Sequence, residues 1–175
     1  MTGSPTLLTS CAKAATTAEA KFRVAYPNSK GRASRIFALD AEAAGMMRRI
    51  EQEPWQGAHF LTFESVTSGA KGLDALPVDA TLKAFDGGTV RLSEELKGAD
   101  VAVMIATAGK SADAAAAIGN ACFVRGIMTT GLIVAKGDRR IEVERTIRAL
   151  RPYAAMLVVS TGEEYIPEML TALRA

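Results

Sequence analysis
The sequence predicts an α/β protein, a mostly parallel sheet flanked by helices on both faces of a single domain, and three observations carry that expectation. A short unbroken apolar run at residues 101–106 and a second apolar run at 127–134 alternate with segments whose apolar residues recur at helical spacing. Between those two runs lie a turn with Gly109 and Ser111 and an alanine-rich stretch, the order strand, loop, helix, parallel strand of one βαβ unit. A length of 175 residues, 49% hydrophobic and 23% charged, suits one domain with a substantial core.

Each element has its own signal. Residues 1–33 form a basic leader with at most one helix, at 8–22, followed by turn formers from Tyr26 to Arg32. The domain, residues 34–175, opens with a short strand at 34–39. Asp40 stands at an N-cap position for a helix over 41–53, where Ala43, Met46, Met47 and Ile50 share the sheet-facing side and Pro54 is the stop. Residues 59–63 read as a second strand. Residues 67–77, with Ser68, Gly69, Lys71, Gly72 and Asp74, make a long loop with little that would build a core. Alternation at 80–85 predicts a short edge strand closed by the Asp86-Gly87-Gly88 turn. A helix of one to two turns at 92–97 delivers the chain to the central strand at Val101.

Beyond the second apolar run, Lys136-Gly137-Asp138 turns the chain into a helix over 139–150. Ile141, Val143, Ile147 and Leu150 are expected on its apolar side, and Arg139, Glu142, Arg145, Arg148 and Arg151 on its solvated side. Pro152 ends it, 155–159 is a further buried strand, and 165–174 a final amphipathic helix. The order of elements predicts a Rossmann-like arrangement with right-handed crossovers.

Charge and cysteines narrow the class. Up to Arg35 the basic residues Lys13, Lys21, Arg23, Lys30, Arg32 and Arg35 face Glu19 alone, a net +5; the remaining 15 basic and 18 acidic residues leave −3. That leader reads first as a flexible, solvated terminus, with a nucleic-acid or membrane-surface arm or a transit-like segment as the alternatives, and it lacks the apolar centre of a secretory signal. No apolar run approaches the roughly 18 residues needed to span a bilayer. Cys11 and Cys122 offer neither metal spacing nor a disulfide framework, so a reducing, cytoplasmic setting is expected.

Residues 96–109, the small-residue loop and helix after them, and residues 126–134 resemble the segment of tubulin/FtsZ GTPases that carries their glycine-rich signature loop. The likeness extends back over 35–39, 46–52 and 59–63, and forward over 141–159. It implies a nucleotide-binding domain, with GTP or another nucleotide and magnesium as the ligand class. The chain departs from the family where nucleotide chemistry resides. The family's glycine run after the first strand is replaced by residues 40–45, in which Asp40 and Glu42 bring carboxylates and only Gly45 is a glycine. The signature loop becomes Ala108-Gly109-Lys110-Ser111-Ala112-Asp113. The chain also stops where the family continues into its central helix and second domain, so polymerisation-driven GTP hydrolysis is not expected.

Ligands of βαβ units sit at the carboxyl edge of the sheet. Asp40, Gly45, Ala108, Gly109, Lys110, Ser111 and Asp113 are therefore the candidate binding residues. Lys110 and helix amides could hold an anion; Met104 stands where a phosphate-binding P-loop requires glycine, and Ser111 or Asp113 could instead cap the helix. Asp113 would reach a nucleotide through a bound cation or a sugar hydroxyl. Asp40 is a helix cap, a ribose acceptor or a general base. His59, the only histidine, is expected to be structural, and Cys122 a small core residue.

The first functional expectation is a binding protein for a nucleotide or other phosphorylated small molecule. The second is a ligand-free scaffold that forms a homo-oligomer through the small-residue face of residues 114–119, and the third a small-molecule enzyme with Asp40 or Asp113 as base. Nucleic acid is not an expected partner.

Overall fold
A computed structural model describes residues 31–55, 57–66, 79–137 and 139–175. The leader with its helix at 8–22, Cys11, the loop at 67–77 and Asp138 lie outside the described residues. Seven strands, β1 (Ser34–Ala38), β2 (Ala58–Val66), β3 (Ala80–Ala84), β4 (Thr89–Arg91), β5 (Val101–Thr107), β6 (Met128–Val134) and β7 (Met156–Ser160), form one sheet in the order β4-β3-β2-β1-β5-β6-β7. Five of them, β2-β1-β5-β6-β7, are parallel; β3 and β4 add an antiparallel margin. The expected α/β class with a mostly parallel sheet is thus present.

Period-two alternation divides the strands between two cores. Ile36, Ala38, Val101, Val103 and Ile105 point to the face covered by α1 (Ala41–Ile50) and α5 (Tyr165–Leu173). Phe37, Ala102, Met104 and Ala106 point to the other face, under α2 (Leu92–Glu95), α3 (Ala114–Arg125) and α4 (Arg140–Leu150). Phe37 lies in register with Met104, and Ile36 with Val103, so the two central strands present matched rows to both cores.

Local chemistry sets the helix limits. Asp40 is the N-cap of α1, and Ala43, Met46, Met47 and Ile50 are buried as the spacing predicts. The helix ends at Ile50, three residues short of expectation: the Trp55 indole N–H takes the Ile50 carbonyl at 2.7 Å, and the Glu53 amide bonds the same oxygen. Gly126 closes α3 with φ +67°, a conformation costly for a residue with Cβ, and its amide and that of Ile127 bond the last carbonyls. Asp79 ties β3 to α2 by accepting from the amide and hydroxyl of Ser93, each at 3.0 Å. Burial alone would raise the Asp79 carboxyl, but these bonds and that from the Ala80 amide outweigh it and hold the group below its ordinary value.

Further details differ from the sequence expectation. The strand expected to be buried at 155–159 is β7, an edge strand with Met156 and Val159 exposed, because no strand covers its outer side. The Asp86-Gly87-Gly88 turn does not close the sheet but makes a hairpin to β4, so 80–84 is the second strand from the edge. Ile141 is 78% exposed, whereas Val143, Ile147 and Leu150 pack on the core with Thr146 buried among them. Positions 143, 147 and 150 share one helical stripe, and residue 141, two before 143, falls about 200° away.

Candidate functional site
Strand order reverses between β1 and β5: from β1 the chain passes outward to β2, β3 and β4, and then returns to the other side for β5, β6 and β7. The crevice beyond the carboxyl ends of such a pair is where open α/β sheets receive ligands. Leu39, Asp40 and residues 108–113 lie at this edge, and the parallel pairing of Thr107 with Val134 brings Lys136 to it as well.

Asp40 does more than cap. One carboxylate oxygen accepts from the amides of Glu42 (3.0 Å) and Ala43 (2.9 Å) and from the Thr107 hydroxyl (3.0 Å); the other accepts from the Thr107 amide at 2.7 Å. The carboxylate therefore occupies the N-terminus of α1, where a phosphate would find its backbone donors, and joins the ends of β1 and β5. With four donors already on it, this group is a structural bolt rather than an open base. Gly45 stands on the exposed side of α1 with open space around it.

The loop after β5 is similarly committed to its own structure. The Ala108 amide continues the sheet ladder to the Val134 carbonyl, the Gly109 amide bonds the Thr146 hydroxyl at 3.1 Å, and the Lys110 amide bonds the Thr107 carbonyl at 3.1 Å. Gly109 has φ +84°, and a Cβ there would lie 3.2–3.4 Å from the Glu142 side chain, so glycine is needed for both conformation and space. Three successive amides face inward, unlike a phosphate-cradling nest. Asp113 takes the N-cap position of α3 in a helical conformation and caps no amide; its carboxylate instead accepts from the Ser111 hydroxyl at 2.7 Å. The Lys110, Ser111 and Asp113 side chains are exposed.

Cations gather beside this loop. Lys136 follows β6 and pairs with Glu42 at 3.3 Å, and Arg139 pairs with Glu142 at 3.3 Å. Arg139, Arg140, Ile141, Glu142 and Arg145 line a shallow depression of about 710 Å³ at the start of α4. The Arg139 side chain, at the N-cap position of α4, makes no capping hydrogen bond. Sequence reading placed Lys110 in the site but left Arg139, Glu142 and Arg145 on a solvated helix face. The usable signal was the run Lys136, Arg139, Arg140 and Arg145 immediately after a strand of the parallel sheet.

The remaining candidates resolve simply. Cys122 is fully buried, and burial pushes its thiol up to about 12, so it is a core residue and no nucleophile. His59 lies at the opposite, amino edge, where its Nδ1 meets Glu95 at 3.1 Å. Among the described residues no group of His, Cys, Asp and Glu is arranged to hold a metal ion, and no helix is long and apolar enough to cross a membrane. No family model, curated protein or solved structure matches the chain.

Proposed function
We propose that the chain is a small binding protein for a nucleotide or another phosphorylated ligand, held at the carboxyl edge without polymerisation-driven GTP hydrolysis. The parallel order β2-β1-β5-β6-β7, with its reversal between β1 and β5, supports a Rossmann-like reading and with it the resemblance to tubulin/FtsZ nucleotide domains, while the antiparallel β3 and β4 depart from that arrangement. The single observation that carries the reading is the depression lined by Arg139, Arg140 and Arg145 beside the loop of Gly109, with Lys110 and Lys136 following the strand ends of the same edge. Because Asp40 fills the α1 terminus and the 108–110 amides are spent, the anion is gripped by side chains. Guanidinium groups suit phosphate because they donate two parallel hydrogen bonds. Exposed Ile141 adds an apolar wall for a base or another uncharged part of the ligand.

The test is a thermal-shift screen of the full chain with GTP, GDP, ATP and phosphorylated metabolites, each with and without magnesium. A ligand at about a hundred times its Kd stabilises by roughly 2.7 kcal/mol, a rise of roughly 5–10 °C at this size. Lys110→Ala and Arg145→Ala, both at exposed positions, are expected to abolish that shift while leaving the unliganded Tm within about 1–2 °C. A flat response to every phosphorylated compound overturns the reading.

A second reading, self-association, gains from a different observation. The small residues Ala114, Ala115, Ala117 and Gly119 are buried within the chain, but Phe123 (86% exposed) and Met128 line one depression at the end of α3, and Val124 beside Phe123 is exposed as well. If these residues join two copies, sedimentation will show a concentration-dependent dimer that Phe123→Asp dissociates and Lys110→Ala does not affect.

A further inference from the structure
At the amino edge of the sheet, opposite the basic crevice, lies a cleft of about 400 Å³ between the end of α1, the start of β2 and the β3–β4 turn. This is within the size range of small-molecule sites. Three aromatic residues build its wall: Phe60 stands 6.1 Å from Trp55 and 6.4 Å, edge to face, from Phe85. Its polar side chains are Glu51, Glu53, Asp86, Glu95 and His59.

What distinguishes the cleft is that, among the described residues, it offers acceptors and almost no donors. The Trp55 N–H is spent on the Ile50 carbonyl, so the indole presents only its ring. The Ala84 and Phe85 amides are bonded to the Gly88 and Phe60 carbonyls, and the Gly88 amide to the Asp86 carboxylate. Glu95 is anchored from behind by Arg35, whose Nε lies 3.1 Å from its carboxylate and 2.7 Å from its carbonyl, and it takes Nδ1 of His59 at 3.1 Å.

Charge points the same way. Arg35 compensates Glu95, while Glu51, Glu53 and Asp86 remain on the lining. Burial first, and then the charge of Asp86, raise the Glu51 carboxyl above its ordinary value; the opposing effect of Arg48, which stands over the Phe85 ring at 5.9 Å, is smaller. Two carboxylates that repel each other beside the half-buried Trp55 ring are relieved by a cation, which also gains from the ring quadrupole.

We infer that this cleft binds a small organic cation bearing N–H groups, an alkylammonium or a guanidinium. Its N–H groups meet the carboxylates, and its carbon chain lies against Trp55, Phe60 and Phe85. The inference is independent of the phosphate reading, since the two sites lie at opposite edges of the sheet and take opposite charges.

The chain contains a single tryptophan, Trp55, so its fluorescence reports on this cleft directly. Butane-1,4-diamine and butylguanidine, titrated into the full chain at constant ionic strength, are expected to give saturable changes in emission. Butan-1-ol and matched sodium chloride are expected to give none. Glu51→Gln with Asp86→Asn, two positions on the accessible side of the cleft, is expected to weaken binding at least tenfold with an unchanged far-UV circular dichroism spectrum. Nα-acetyl-lysine methylamide distinguishes a free amine from the side chain of a peptide: whichever binds more tightly identifies the source. Amine curves that superimpose on the salt control overturn the inference. So does a folded double variant that binds the diamine as tightly as the parent chain, because the carboxylates would then play no part.

Discussion

Replacing Asp40 with alanine is expected to lower the unfolding free energy by about 2–4 kcal/mol, roughly 5–15 °C in Tm, although the residue lies at the edge of the candidate site. The size follows from how many donors lose their acceptor at once. The amides of Glu42 and Ala43 are first-turn donors of α1 with no partner inside the helix, and the amide and hydroxyl of Thr107 belong to the neighbouring strand. A cap alone contributes about 1 kcal/mol; the bridge to β5 adds the remainder because its donors are partly buried. Asp40→Asn is expected to cost less, since its carbonyl oxygen still caps α1 while its amino group faces the Thr107 amide, donor against donor. Thr107→Val removes only the hydroxyl bond, at about 1 kcal/mol. Urea denaturation of the three variants, with the Asp40→Ala/Thr107→Val pair to measure coupling, checks the assignment. Equal small losses in all three would mean that water replaces the carboxylate and that Asp40 is not the bolt described above.

How far the sequence reveals this arrangement depends on the distance over which each signal acts. The central βαβ unit is legible because the apolar runs at 101–106 and 127–134 and the alanine-rich segment between them carry their periodicity locally. Asp40 as a cap is legible for the same reason: its amide partners are two and three residues away. Its second role is not, because Thr107 is 67 residues distant and reaches it only through the pairing of β1 with β5. The Gly109-Lys110-Ser111 loop looks like an anion cradle until Thr146, 37 residues on, takes the Gly109 amide. Strand β4 escapes sequence reading since Thr89, Val90 and Arg91 are too few to show alternation. The misplacement of Ile141 is of another kind: the residues were right but the phase was not, and the stripe through 143, 146, 147 and 150 was available in the sequence. At the amino edge, Arg35, His59 and Glu95 meet across 60 and 36 residues, so no local pattern marks the cleft.

Gly119→Val is expected to be the most damaging single change in α3, costing about 3 kcal/mol or more. Gly119 is fully helical, and left-handed freedom plays no part; the need is for space. A Cβ at this position would stand 2.4 Å from the Cβ of Tyr153 and 3.0 Å from its ring. The obstructing Cβ is fixed to the backbone of the short 3₁₀ turn Arg151–Tyr153, which follows α4 directly, so rotation of the tyrosine cannot clear it. Either that turn or α3 itself must move, and α3 is packed among the sheet, α2 and α4. Gly119→Ala sets two effects against each other. Alanine gains about 1 kcal/mol in helix propensity and loses about 1–3 kcal/mol to the clash, so a net loss near 1 kcal/mol is expected. Tyr153→Ala keeps the offending Cβ and should not rescue Gly119→Ala, whereas Tyr153→Gly should recover part of the loss; chemical denaturation of the four variants separates these cases. Rescue by Tyr153→Ala would place the conflict in the ring instead. The contact also bears on how the chain meets partners. A helix whose glycine and alanines are used to approach its own sheet and turn has no small-residue face left for a second copy, so any dimer through α3 must form at its exposed end, around Phe123 and Val124.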